Sequence, residues 1–162
     1  MANLFTITNI TLFIALFGVC LSTAKVLFDY SKNIRKLKVQ INFGFLTDTD
    51  IIASKMGISI VAMNVGYRDV TLNSMGYILP DKKYLTSIPQ RNLKSNVKFP
   101  CTLSEGKECT VWEPQKNLAT DLKDNGYSGK IKLIGYYGSA IGKTYKSKPV
   151  DFDIDNALAR TE

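Results

Sequence analysis

The chain has 162 residues, 45% of them hydrophobic and 22% charged, with no histidine and a formal net charge of +7. This is the composition of a folding chain, and the length suits one domain plus an appendage. The missing imidazole excludes histidine acid–base catalysis, histidine-containing triads and histidine metal sites within this chain.

From Met1 to Ala24 no side chain is charged. A helix needs roughly 20 mostly apolar residues to cross the hydrocarbon core, and residues 4–24 are just long enough. Ser22–Thr23–Ala24 could pass for a small-residue cleavage site, but a signal peptide carries its positive charge before the apolar run. Here the cations follow it: Lys25, Lys32, Arg35, Lys36 and Lys38. Residues 1–24 therefore read as a retained transmembrane anchor and 25–36 as a basic juxtamembrane linker. Basic flanks stay in the cytoplasm, which predicts a single pass through the inner (plasma) membrane. The N-terminus is then outside and the C-terminal domain cytoplasmic. The same cations can meet anionic headgroups of the lipid bilayer. The five cations and Asp29 net +4, which leaves only +3 for the rest of the chain and argues against nucleic acid as a partner.

Thr8, Thr11, Ala15, Gly18 and Ser22 recur at alternating spacings of three and four, one stripe of small side chains along a helix. Such stripes let membrane helices approach closely, so the anchor is expected to self-associate or to pack on a membrane protein partner. The plainer reading is that small residues are common in membrane helices. Cys20 is a small apolar filler of the anchor.

The rest of the chain reads as strands. In residues 36–45, Leu37, Val39, Ile41, Phe43 and Phe45 alternate with polar residues and glycine, the pattern of a half-buried strand. Residues 58–65 are apolar on both faces and suit a central strand. Strands are also expected at 70–79, 97–101, 109–112 and 130–137, with a closing hairpin through 145–155. One helix interrupts them: Pro114 stands at a permitted first-turn position, Leu118 and Leu122 share a face, and Gly126 suits the stop. About seven strands with closely spaced turns predict an all-β antiparallel immunoglobulin-like sandwich over 37–155, behind the N-terminal transmembrane α-helix and followed by a tail at 156–162.

The stretches MNVGYRDVTLNSMGYILPD, CTLSEGKECTVW and GKIKLIGYYGSAIGKTYKSKPVDFDID resemble a group of small, mostly uncharacterised bacterial single-pass membrane proteins with an immunoglobulin-like domain. The resemblance covers about residues 55–155 and rests on turns and core positions. It implies a fold and carries no catalytic residue across.

Candidate chemistry is sparse. Cys101 and Cys109 flank a short loop and are expected to be thiols in the cytoplasm, or a bridge in an oxidising compartment. Without histidine neither has an obvious base, so no catalytic residue is assigned. Asp151, Asp153 and Asp155 occupy positions 1, 3 and 5 of a calcium-loop template, yet Asn156 replaces its glycine and Ala159 supplies no ligand. Their alternation with Val150, Phe152 and Ile154 is that of a strand, with lysines of a neighbouring strand as partners. No metal and no cofactor is assigned. The glycines of 135–143 miss the spacing of a phosphate-binding loop and suit a hairpin turn. Tyr136, Tyr137, Lys143 and Tyr145 in that hairpin are candidates for contact with a partner. No small-molecule ligand can be named.

The expected function is a non-enzymatic, membrane-anchored interaction or accessory subunit of a homo- or hetero-oligomeric membrane assembly. The alternative is a membrane effector or sensor of the conflict or defence type, whose sandwich binds a signal and whose helices perturb the bilayer. An extracytoplasmic binding module would need the opposite topology.

Overall fold

A computed structural model describes residues 2–48, 51–86, 94–95 and 98–159, with side chains placed over 9–45, 56–86 and 98–159. The chain divides into two compact units, 1–34 and 35–162.

The first unit is one helix, α1 (Ala2–Asn33). Its apolar stretch, Asn9–Asn33, reaches a mean hydropathy of 2.1 and none of that stretch is buried. The helix runs past Ala24, so most of the expected linker at 25–36 is helical. Val26, Leu27, Phe28 and Tyr30 continue the apolar surface, and the Lys32 ammonium lies 4.3 Å from the centre of the Phe28 ring one turn away. Lys32 also stands in the last turn, where a cation complements the helix dipole.

The second unit is an antiparallel β domain of two sheets. Its strands are β1 (Leu37–Asp48), β2 (Ile51–Asn64), β3 (Val70–Ile78), β4 (Tyr84–Thr86), β5 (Lys94–Ser95), β6 (Cys101–Leu103), β7 (Glu108–Pro114), β8 (Lys130–Ser139), β9 (Thr144–Lys146) and β10 (Val150–Asp153). One sheet has the order β1-β2-β7-β5. In the other, β3 and β8 form the centre; β4 and β6 pair with β3, and β9 and β10 pair with β8.

Alternation explains which residues meet between the sheets. Val39, Ile58, Ile60, Ala62, Cys109 and Val111 face inward from the first sheet; Val70, Leu72, Tyr77, Leu133, Tyr137 and Phe152 face them from the second. Gly135 marks a close approach: a Cβ there would sit 3.0 Å from carbons of both Ile41 and Ile60. On the outer face of the first sheet the Trp112 indole covers Gly57, and a Cβ at Gly57 would overlap its ring.

Two connections differ from expectation. Residues 101–103 and 109–112 do not form a hairpin with each other. β6 pairs with β3 and β7 pairs with β2, so Ser104–Lys107 crosses from one sheet to the other. Asn64 braces this crossing. Fully buried, it donates from Nδ2 to the carbonyls of Arg68 (2.9 Å) and Leu103 (2.8 Å), and its Oδ1 accepts from the Gly66 N–H at 3.0 Å. Its own backbone pairs with Lys107 and Gly106.

The second difference is at the C-terminal end. The closing hairpin through 155 is split into β9 and β10, and the expected tail begins as a helix, α3 (Ile154–Ala159). Asp153 Oδ1 accepts the Asn156 N–H at 3.0 Å, an N-cap, and Ile154 and Ala157 are buried. The helix α2 (Gln115–Asp124) forms as expected, burying Leu118 and Leu122. It ends with the paired bonds Gly126 N–H to Lys123 O and Tyr127 N–H to Leu122 O, with Gly126 at φ +87°.

Candidate functional site

The residues singled out in the closing hairpin serve the core. Tyr137 is fully buried and donates its hydroxyl to the Ile60 carbonyl at 2.8 Å, joining the two sheets. Burial raises its pKa, and Cys109 adds to the rise. Tyr136 is buried against Tyr84, ring edge to ring face at 5.1 Å, with its hydroxyl 2.8 Å from Thr86 Oγ1. Tyr145 is buried beneath Lys143, whose ammonium is 5.1 Å from the ring centre. Three of the four expected contact residues therefore present no ring to a partner; Lys143 alone is exposed. The inward and turn-side positions of a tight hairpin account for this.

The small stripe is placed only in part. Thr11, Ala15, Gly18 and Ser22 are exposed on α1, and the Thr8 side chain lies outside those described. Ser22 Oγ is satisfied within the helix, donating to the Gly18 carbonyl at 2.8 Å, so the stripe offers shape more than hydrogen bonds. Of the basic residues, Lys25, Lys36 and Lys38 are exposed, while Arg35 donates from Nε to the Asp69 carbonyl at 3.2 Å.

Cys101 and Cys109 are both free thiols. Burial pushes Cys109 up to about 12, and the Cys101 thiol adjoins it. Burial also raises Cys101. Such thiols are poor nucleophiles at neutral pH. The three aspartates do not converge as a cation site. Asp153 caps α3, and Asp155 Oδ2 accepts the Gly129 N–H at 3.0 Å. Asp151 and Asp153 instead stand opposite Lys132 and Lys130 in the β10–β8 ladder.

The feature that alternation alone did not reveal is a cleft of about 430 Å³ beside the outer half of the β1–β2 hairpin. Phe43, Gly44 and Phe45 of β1 form one wall. Asp151, Phe152 and Asp153 of β10, with Asn156 and Ala157 of α3, form the other. Met56 and Gln115 complete it, with Gln115 Nε2 held 3.3 Å from the Gly57 carbonyl. Phe43 and Phe45 were expected on the half-buried face, but they are 48% and 66% exposed. The inward face of β1 is covered as far as Ile41, which packs at Gly135; beyond it the opposite sheet supplies no cover for these rings. The outcome is an apolar wall open to solvent, the kind of surface that marks a binding site.

No family model matches the chain, and no curated protein matches it. Two solved structures show a distant likeness. A Northeast Structural Genomics Consortium target, SoR45, is 12% identical with a TM-score of 0.38, covering 81% of this chain and 95% of its own. A Bordetella pertussis protein provisionally called ApaA is 10% identical with a TM-score of 0.36, covering 73% of this chain and 91% of its own. At these scores the likeness carries no argument about function.

Proposed function

We propose that the chain is a non-enzymatic, membrane-tethered docking subunit whose β domain, of immunoglobulin-like type, holds a partner at the bilayer surface. The observation that carries this reading is α1: an unburied stretch, Asn9–Asn33, whose most apolar 18 residues have a mean hydropathy of 2.1. Among the described residues nothing covers this helix, and a bilayer supplies the missing environment. The cations that follow the charge-free segment favour an N-terminus outside and a cytoplasmic β domain. The stripe from Thr11 to Ser22 supports assembly with a second copy or with another membrane helix. In the β domain, the open cleft with Phe43 and Phe45 is the surface suited to the partner.

Three measurements test the reading. The chain should stay in the membrane fraction through alkaline carbonate extraction. A cysteine placed by Lys107→Cys should react with a membrane-impermeant maleimide only after cells are opened; labelling in intact cells would reverse the topology. A photo-crosslinking residue at position 45, in native membranes, should form a discrete adduct, and the same residue at exposed Lys123 should not. Equal adducts at both positions would remove the cleft from the reading.

A further inference from the structure

The cleft lies along the edges of strands and not across their faces. A strand turns successive side chains to opposite faces, so a pocket on a face touches every second residue. Here three successive residues of β1, Phe43–Gly44–Phe45, and three of β10, Asp151–Phe152–Asp153, line one cleft. Among the described residues each strand ends its sheet: β1 pairs with β2 alone, and β10 with β8 alone. Two open strand edges therefore face the same space.

The β1 edge also lacks the devices that normally keep an edge from pairing. From Val39 to Phe45 it contains no charged residue and no proline. Its register with β2 is unbroken from Leu37 to Leu46, so no bulge twists the edge away. Natural edges are guarded by charges, prolines or bulges because unpaired N–H and C=O groups template another strand. Gly44 adds room, since a Cβ there would meet nothing within 4 Å. An unguarded edge beside two exposed phenylalanines is built to pair.

The chemistry of the incoming strand follows from the walls. Among the described residues, the charged ones lining the cleft are carboxylates, Asp151 and Asp153, with no lysine or arginine. Lys132 and Lys130 stand opposite them in the ladder, yet neither aspartate is in an ion pair among the described residues. Phe43, Phe45 and Phe152 supply the apolar surface.

The geometry points to strand addition: an extended peptide segment of a protein partner, alternating apolar and cationic side chains, pairs with the β1 edge at Phe43–Phe45. Its apolar side chains lie against the phenylalanines and its cations face Asp151 and Asp153. This rests on the docking reading above and names the partner's chemistry.

The probe is a fluorescent octapeptide of alternating Lys and Val, titrated by anisotropy into the full chain in zwitterionic detergent. Saturable binding is expected, with a Glu–Val counterpart at least about tenfold weaker. N-methylating one alternate set of backbone amides should weaken binding about tenfold or more, while methylating the other set should leave it within about threefold, because one edge of the peptide pairs with β1. Phe43→Pro, which removes an edge donor together with one phenylalanine, should weaken the parent peptide, and Asp151→Lys should shift preference toward the Glu–Val peptide. Unchanged Trp112 fluorescence checks that each variant is folded. Failure of the Lys–Val peptide to saturate, or equal binding of both methylated forms, overturns strand addition. A discrete adduct at position 45 with either result leaves the docking reading standing; no adduct there removes that reading whatever the peptides do.

Discussion

Glu113 is the most consequential buried charge in the β domain. It faces inward near the end of β7, only 8% exposed, with its Oε1 lacking any hydrogen-bond partner and the Tyr77 hydroxyl bonded to the carboxyl. Burial pushes it up from 4.5 to about 7; the Tyr77 bond opposes that rise and the Asp121 charge reinforces it. A carboxyl raised in the folded state binds its proton more tightly there than in the unfolded chain. Its contribution is thus fully present below about pH 4.5 and is lost as pH rises to about 7. At about 1.4 kcal/mol per pH unit, that interval amounts to roughly 3 kcal/mol. Glu113→Gln keeps an acceptor for Tyr77 and removes the charge. It should flatten the dependence and leave the domain about 2–3 kcal/mol more stable than the parent at pH 8. Urea unfolding of the full chain in detergent, read by Trp112, the single tryptophan, at pH 5, 6, 7 and 8 measures this. If the parent and Glu113→Gln lose stability in parallel over that range, the group responsible lies elsewhere and the reasoning fails.

Three further substitutions probe the frame. Asn64→Ala strips partners from the Arg68 and Leu103 carbonyls and the Gly66 N–H; it should cost about 2–4 kcal/mol in the same unfolding assay. Gly57→Ala drives a methyl into the Trp112 indole, so it should cost about 1–3 kcal/mol and shift the tryptophan emission to the red. Gly126→Ala forces a left-handed conformation on alanine at the end of α2 and should cost about 1 kcal/mol without altering the emission.

Much of the frame was legible because it depends on local chemistry. The charge-free run before Lys25 marks α1, and Pro114, Leu118, Leu122 and Gly126 mark start, face and stop of α2. Alternation finds the inward residues of β1 through Ile41. What escaped is set by distant partners. Cys101 and Cys109 look like the ends of a hairpin, and only pairing with β3 and β2 sends them to different sheets. Ile154 continues the apolar alternation of β10, and only the Asp153 cap and packing beside α2 turn it into a helix. Tyr136, Tyr137 and Tyr145 carry polar tips that suit a surface as well as a core; the hydroxyl partners of Tyr136 and Tyr137 and the burial of all three rings decide it.

The cleft illustrates the limit of periodicity most directly. Phe43 and Phe45 obey the same alternation as Val39 and Ile41, and nothing in their spacing separates buried from bare. The separation comes from lengths. β1 has 12 residues and β2 has 14, whereas the segments on the neighbouring edge of the other sheet, β9 and β10, have 3 and 4. At about 3.3 Å per residue, β1 runs roughly 40 Å, several times the span of either β9 or β10. An apolar face can be buried only as far as something opposes it. Where the opposing edge gives way to the start of α3, the β1 face continues and the cleft opens. A chain under no demand but folding would end its alternation there, or guard the edge with charge. Phe43 and Phe45 instead extend the pattern onto an uncharged edge, which is why the cleft is the part of this domain best read as a surface for another chain.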